Sequence, residues 1–193
     1  ESLPWGSFPE APVSFPFTVE RKDRTVFFSA LTTNGDAENF FGPVVTSAVV
    51  TQELTLIHPD FATPGDSPLR VVLQGVTAGA LHDVAVQVNG HDVGAIAFFG
   101  QEHPVEVFKV PNAWLHEGSN QVTLVARAGD DDVSLVDSVQ LTYQHLYGLD
   151  SGALRMTVPA DSTATIPKLS DDSLRVIDLS NPRQPREMPV RWV

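Results

Sequence analysis

DVAVQVNGHDVGAIAFFGQEHPVEVFKVPNAWLHEGSNQVTLVA, residues 83–126, is the stretch whose reading decides the fold. Val84, Val86 and Val88 alternate with Ala85, Gln87 and Asn89, the period-two pattern of a half-buried strand. Asn89-Gly90 then supplies two residues that tolerate positive φ, as a type I′ hairpin requires. In that register Val88 faces His91, Val86 faces Val93 and Val84 faces Ala95, so the apolar pairs coincide across the ladder. A link broken by Gly and Pro leads to Trp114-Leu115-His116-Glu117-Gly118-Ser119-Asn120, read as a bend. The chain re-enters a strand at Val122, Leu124 and Ala126.

Working outward, residues 25–31 (TVFFSAL), 44–57 and 69–74 have strand composition. Leu54, Leu56 and Val50 share one face of the second of these. Leu69, Val71 and Leu73 share one face of the third. Residues 59–68 read as a loop, marked by Pro64-Gly65-Asp66. In 133–143, Leu135, Val139, Leu141 and Tyr143 fall on one face together with Asp137. A carboxylate suits that place only if paired, hydrogen-bonded or bound to a cation. Pro4, Pro9, Pro12 and Pro16 interrupt pairing, so residues 1–16 are expected as an extended arm. Trp5, Phe8 and Phe15 would pack it into surface grooves. Beyond residue 147, short strands are expected at 153–158, 164–166 and 174–179. A single turn at 111–117 is the best helix candidate. Many short strands between turn signals predict an all-β sandwich. It would occupy 1–147, with 148–193 a small β extension leading to a following domain.

The chain has 193 residues, of which 42% are hydrophobic, enough for a packed core. Its 15 Pro and 13 Gly are spread throughout and disfavour long helices. A net charge of −12 argues against nucleic acid, which needs a positive patch. No run of about eighteen apolar residues is present, so no membrane span is expected. With no Cys, the chain holds no disulfide, no thiolate metal site and no cysteine nucleophile. It begins at Glu1, and we expect a segment of a longer protein, cut after removal of an export signal.

The strand, the Asn-Gly turn, the second strand and then WLHEGSNQVTL resemble the galactose-binding-like jelly rolls found as accessory domains on secreted enzymes. A second resemblance runs along most of the chain. It is carried by Glu20-Arg21-Lys22-Asp23, Glu38-Asn39-Phe40-Phe41-Gly42, Leu73-Gln74-Gly75-Val76-Thr77 with His82, and Val88-Asn89-Gly90. It continues in Gly118-Ser119-Asn120, Asp137-Ser138-Val139-Gln140-Leu141-Thr142-Tyr143 and Leu174-Arg175-Val176-Ile177-Asp178-Leu179-Ser180-Asn181-Pro182. In this order they are similar to the region preceding the catalytic domain of secreted gingipain-like cysteine peptidases. In such proteins Pro-Arg typically follows the strand ending in Tyr143. Here Gln144-His145 follows. The resemblance implies a jelly-roll accessory domain of a secreted or cell-surface bacterial protein, with a Cys/His peptidase domain after Val193 as its partner.

Candidate chemistry within the chain is sparse. No G-x-S-x-G elbow or S-x-x-K occurs, and His116-Glu117 lacks the second His of a zincin. His58, His82, His91, His103, His116 and His145 are dispersed, and a transition-metal site among them is the lesser metal reading. No cofactor is required for folding. A structural Ca²⁺ is the leading metal reading, with Asp130, Asp132 and Asp137 as donors and Asp36 and Glu38 as others. A glycan site would draw on Trp114, Phe98 and Phe99 as ring platforms, with Asn89, His91 and Gln101 as polar partners, grouped at neighbouring ends of the central hairpin. The first reading is therefore a non-catalytic docking domain, the second a carbohydrate-binding module, the third a hydrolase in its own right.

Overall fold

The computed structural model describes residues 8–30, 38–167 and 174–190. The strands are β1 (Ser14–Arg21), β2 (Val26–Phe27), β3 (Phe40–Phe41), β4 (Val44–Val45), β5 (Val50–Leu56), β6 (Asp66–Gly75) and β7 (Leu81–Val88). They continue as β8 (His91–Phe99), β9 (Val105–Pro111), β10 (Gly118–Ala126), β11 (Ser134–Leu146), β12 (Val176–Asp178) and β13 (Arg186–Met188). One sheet runs β1-β11-β6-β9, with β4 also on β11, and the facing sheet runs β5-β10-β7-β8. All these pairings are antiparallel. The result is the all-β jelly-roll sandwich that the strand pattern predicts.

The inner faces pack as expected. Val84, Val86, Val88, Leu54, Leu56, Leu69, Val71, Leu73, Val122 and Leu124 are all buried. Each such side chain contributes about 1.5–3 kcal/mol of burial before conformational entropy is subtracted. A 3-10 turn at Asn112–Trp114 closes the bend before β10.

The hairpin turn also forms as read, with φ of 50° at Asn89 and 82° at Gly90. Its register differs beyond the first pair. Val88 faces His91, but Val86 faces Gly94 and Val84 faces Ile96, because a bulge between Val86 and Gln87 leaves Val93 as the extra residue. The other sheet crowds this point. The Phe108 ring occupies the space over Gly94, where a Cβ would stand 2.9 Å from Cε1. Gly94, at φ 137°, takes up the kink.

A second bulge, between Val136 and Ser138, corrects the reading of β11. Asp137 is the extra residue and leaves the inward face. Val136, Val139, Leu141 and Tyr143 line the core, while Leu135 pairs with Val44 of β4 outside the main cluster.

Four strand boundaries also shift. The end of the expected arm, residues 14–16, opens β1, an edge strand paired through Pro16 with Gln144; an edge tolerates Pro because only one side of its backbone is bonded. Phe15 is buried against the His145 and Tyr147 rings, whereas Trp5 lies outside the described residues. The 25–31 segment contributes only β2, and the 44–57 run splits into β4 and β5. Asp66, Ser67 and Pro68 belong to β6 rather than to the loop, paired with β9 as far as Pro111. Past Tyr147 the chain meets the segment ahead of β1, where Thr163 bridges Glu10 in parallel and exchanges backbone hydrogen bonds with Pro9 and Ala11. No strand forms at 153–158 or 164–166; β12 and β13 make a separate two-stranded sheet. Among the described residues no helix is long and apolar enough to cross a membrane.

Candidate functional site

The six residues considered for a glycan separate into two groups. Asn89, His91 and Trp114 sit at the turn end of the β7–β8 hairpin, and Phe98, Phe99 and Gln101 at the other. Nine residues of β8 lie between the turns, so the groups are about 30 Å apart, not at neighbouring ends. Asn89 is absorbed in architecture: its Nδ2 donates to the Trp114 carbonyl at 2.8 Å and to Asn120 Oδ1 at 2.9 Å. Its Oδ1 accepts from Gln121 N–H at 2.8 Å. Trp114 packs on the core and carries the His91 ring stacked on it, 4.5 Å between centroids.

At the far end Phe98 is buried and stacks on His82 at 4.4 Å, whereas Phe99 is exposed. Gln101 donates to the Val76 carbonyl. His82 is fully buried, with Nδ1 2.9 Å from Asp132 Oδ1 and Nε2 3.0 Å from the Gly100 carbonyl. Both ring nitrogens therefore face oxygens, one of a carboxylate and one of a backbone carbonyl. Gly75 is obligatory beside it, because a Cβ there would stand 1.9 Å from the Gly100 oxygen.

The three aspartates considered for Ca²⁺ are not gathered around one point. Asp132 is buried, and besides His82 it accepts N–H bonds from Asp83, Arg127 and Ala128 at 2.9–3.1 Å. Burial alone would raise its pKa. The Ala128 and Asp83 N–H groups, with His82, instead hold it below the usual carboxylate range. Asp130 is exposed on the adjoining turn. Asp137, turned out by its bulge, meets Lys22 Nζ at 3.2 Å and His103 Nε2 at 2.8 Å. Lys22 also approaches Glu38, which pairs with Arg24. The oxygens of Asp132 and Asp137 are already taken by N–H groups and cations in two separate places, so these two aspartates do not share one Ca²⁺ as placed here. Asp36 lies outside the described residues.

The structure instead brings together His58, His145 and Asp150, whose ligand-capable atoms lie within 4.8 Å of one another. His58 Nδ1 is 3.1 Å from Asp150 Oδ1, and His145 Nε2 is 3.1 Å from Asp150 Oδ2. His145 Nδ1 lies 2.5 Å from the Leu146 carbonyl. His58 follows β5 and has φ 46°, a conformation uncommon outside Gly. Tyr143 clamps that point: its hydroxyl donates to the Ile57 carbonyl at 2.8 Å and accepts from Ile57 N–H at 3.1 Å. Burial raises the Tyr143 pKa, and the charges of Asp150 and Glu117 push the same way. Gly148 leaves room for the His58 ring; its Cβ would stand 3.1 Å from Nδ1. Asp150 opens a tight turn through Ser151 and Gly152, both at positive φ, closed by two backbone bonds with Ala153. Sequence reading noticed both histidines but not Asp150, which carries no pattern of its own.

A groove of about 500 Å³ opens at the same end of the sandwich, lined by Phe61, Thr63, Pro64, Ala113 and Leu115. Its loop is tied to β1 by Asp60, which accepts from Ser14 Oγ at 2.7 Å and Thr63 Oγ at 2.6 Å. Those donors, Ser14 first, lower the Asp60 pKa.

No protein-family model matches the sequence, and no curated protein matches it. Among solved structures the chain is similar to dimeric latent PorU from Porphyromonas gingivalis, with a TM-score of 0.57 at 9% identity. The match covers 75% of this chain and 14% of that chain. The chain also aligns with the carbohydrate-binding module CBM36 in complex with calcium and xylotriose, at TM-score 0.43, 18% identity, and coverage of 65% and 98%. A CBM36-1 domain of a multidomain xylanase from the hindgut metagenome of Trinervitermes trinervoides aligns at TM-score 0.42, 12% identity, and coverage of 65% and 95%. What the chain shares with PorU at this identity is a fold, over a small part of PorU's length.

Proposed function

We propose that the chain is a non-catalytic accessory domain of a secreted or cell-surface bacterial gingipain-like peptidase, docking on the catalytic domain of the same protein. The observation that supports this most is the fold shared with a segment of PorU, a chain that extends far beyond that segment. The ordered motifs of the sequence resemblance agree with it, and they do structural work in this fold. Lys22 and Asp137 pair at the β11 bulge, Gly75 and His82 meet at Gly100, and Asn89 and Asn120 bond at the β7–β8 turn. In this reading residues 1–147 are the sandwich unit, and 148–193, with the β12–β13 sheet, lead to the next domain. The docking face is the β2–β3 corner, where the Phe27 and Phe40 rings stand 5.1 Å apart, 59% and 47% exposed. The test is to read the frame encoded after Val193, express that domain, and measure its binding to this chain. Binding weakened at least about tenfold by Phe27→Ser with Phe40→Ser supports the reading. A following frame without a Cys/His domain, or binding indifferent to those changes, overturns it.

A second reading, a carbohydrate-binding module, is favoured by the groove beneath Phe61, whose ring is 43% exposed beside Thr63. A polysaccharide array without a binder removes it.

A further inference from the structure

We propose that His58, His145 and Asp150 form a binding site for a borderline transition-metal ion, with Zn²⁺ the best-fitting occupant. Two imidazole nitrogens and a carboxylate are a zinc-type donor set, unlike the all-oxygen shell that Ca²⁺ takes. The spacing is of the right order. Tetrahedral ligands at Zn bonds of about 2.0–2.1 Å stand roughly 3.3 Å apart. Here one oxygen of Asp150 lies 3.1 Å from His58 Nδ1, the other 3.1 Å from His145 Nε2, and the three ligand atoms lie within 4.8 Å of one another.

The orientation of the ring points the same way. His145 Nδ1 lies against the Leu146 carbonyl, and Nε2 is turned toward Asp150 Oδ2. Ligating histidines are oriented in this way, by a backbone carbonyl at the ring nitrogen that does not hold the metal. Asp150 has no other side-chain hydrogen bonds among the described residues, so its oxygens are committed to these two rings alone.

The backbone holds the three groups before any ion arrives. Tyr143 fixes Ile57, His58 takes a left-handed φ, and the Ser151-Gly152 turn carries Asp150. Strain of this kind concentrates at binding sites. His145 is buried among Phe15, Phe17 and Tyr143, whereas His58 is 40% exposed and leaves one side of the site open to solvent. Gln144-His145, where the sequence departs from the gingipain-like pattern, supplies the buried ligand.

The test uses the whole chain, freed of metal, and metal salts alone. Calorimetric titration with ZnCl₂ is expected to show one equivalent bound. Co²⁺ is expected to develop the visible absorption of a tetrahedral site. His58→Ala and Asp150→Asn, both at partly exposed positions, should each weaken Zn²⁺ by more than the about 10–100-fold typical of changes outside the ligand set. His103→Ala should leave it unchanged. No stoichiometric uptake of Zn²⁺, a preference for Ca²⁺, or unaltered affinity in both His58→Ala and Asp150→Asn overturns the proposal. The docking reading stands or falls separately.

Discussion

Two histidine–aspartate groupings lie at opposite ends of the sandwich, and they are built on different terms. At His82–Asp132 the carboxylate takes one imidazole N–H and three backbone N–H groups, and the imidazole's second nitrogen is held by Gly100. Nothing in that knot is left to bind. At His58–His145–Asp150 the carboxylate meets only two imidazole nitrogens, with no backbone N–H on its oxygens, and solvent reaches His58. The same residue types thus serve as a closed fastener at one end and a candidate receptor at the other. The number of N–H groups on each carboxylate and the exposure of its histidine partner tell them apart, where residue identity does not.

The largest contrast should appear on removing each carboxylate. Asp132→Ala leaves the buried His82 ring and three N–H groups without their acceptor, and should lower the unfolding free energy by about 3–5 kcal/mol in urea titrations. Asp150→Ala should cost only about 1 kcal/mol in metal-free protein, since water can replace the carboxylate. Equal losses at the two sites would erase the distinction. Acid should reveal it next. Asp132 and Asp60 have folded pKa values below their unfolded value of about 3.9, so each adds stability above about pH 4 that is lost as pH falls through the lower folded value. Urea midpoints measured from about pH 6 down to about pH 2 should therefore fall less steeply in Asp132→Asn than in the parent. The smallest effect belongs to Asp137, whose partners Lys22 and His103 are partly exposed. Asp137→Asn should change stability by less than about 1 kcal/mol, and less still in high salt. A large loss there would mean that the bulge depends on its ion pairs.

Much of the sandwich is legible before any coordinates. The alternation Val84-Val86-Val88, the Asn89-Gly90 turn and the return at Val122 all describe local backbone preferences, and they hold. The register past Val88 is not legible, because the bulge leaves Val93 unpaired next to Gly94, which packs under Phe108 of the facing sheet, a contact distant in sequence. Asp137 is misplaced for a related reason: one extra residue in a strand with period two reverses every side chain beyond it. Pro16 argues against pairing until it is known that β1 is an edge. The glycan candidates separate because a nine-residue strand is longer than a reading of adjacent turns suggests.

Residue order alone specifies an all-β chain with a dry valine- and leucine-lined interior, a tight hairpin at Asn89-Gly90, and no cysteine-based chemistry. These follow from side-chain periodicity, backbone φ preference and composition, all short-range properties. Only the tertiary structure decided which polar groups are spent and which are free. His58 and His145 are brought together by the end of β5 and the end of β11, and Asp150 by the turn beyond. Such meetings depend on strand order and bulge placement, which are set by packing between sheets rather than by any neighbour along the chain.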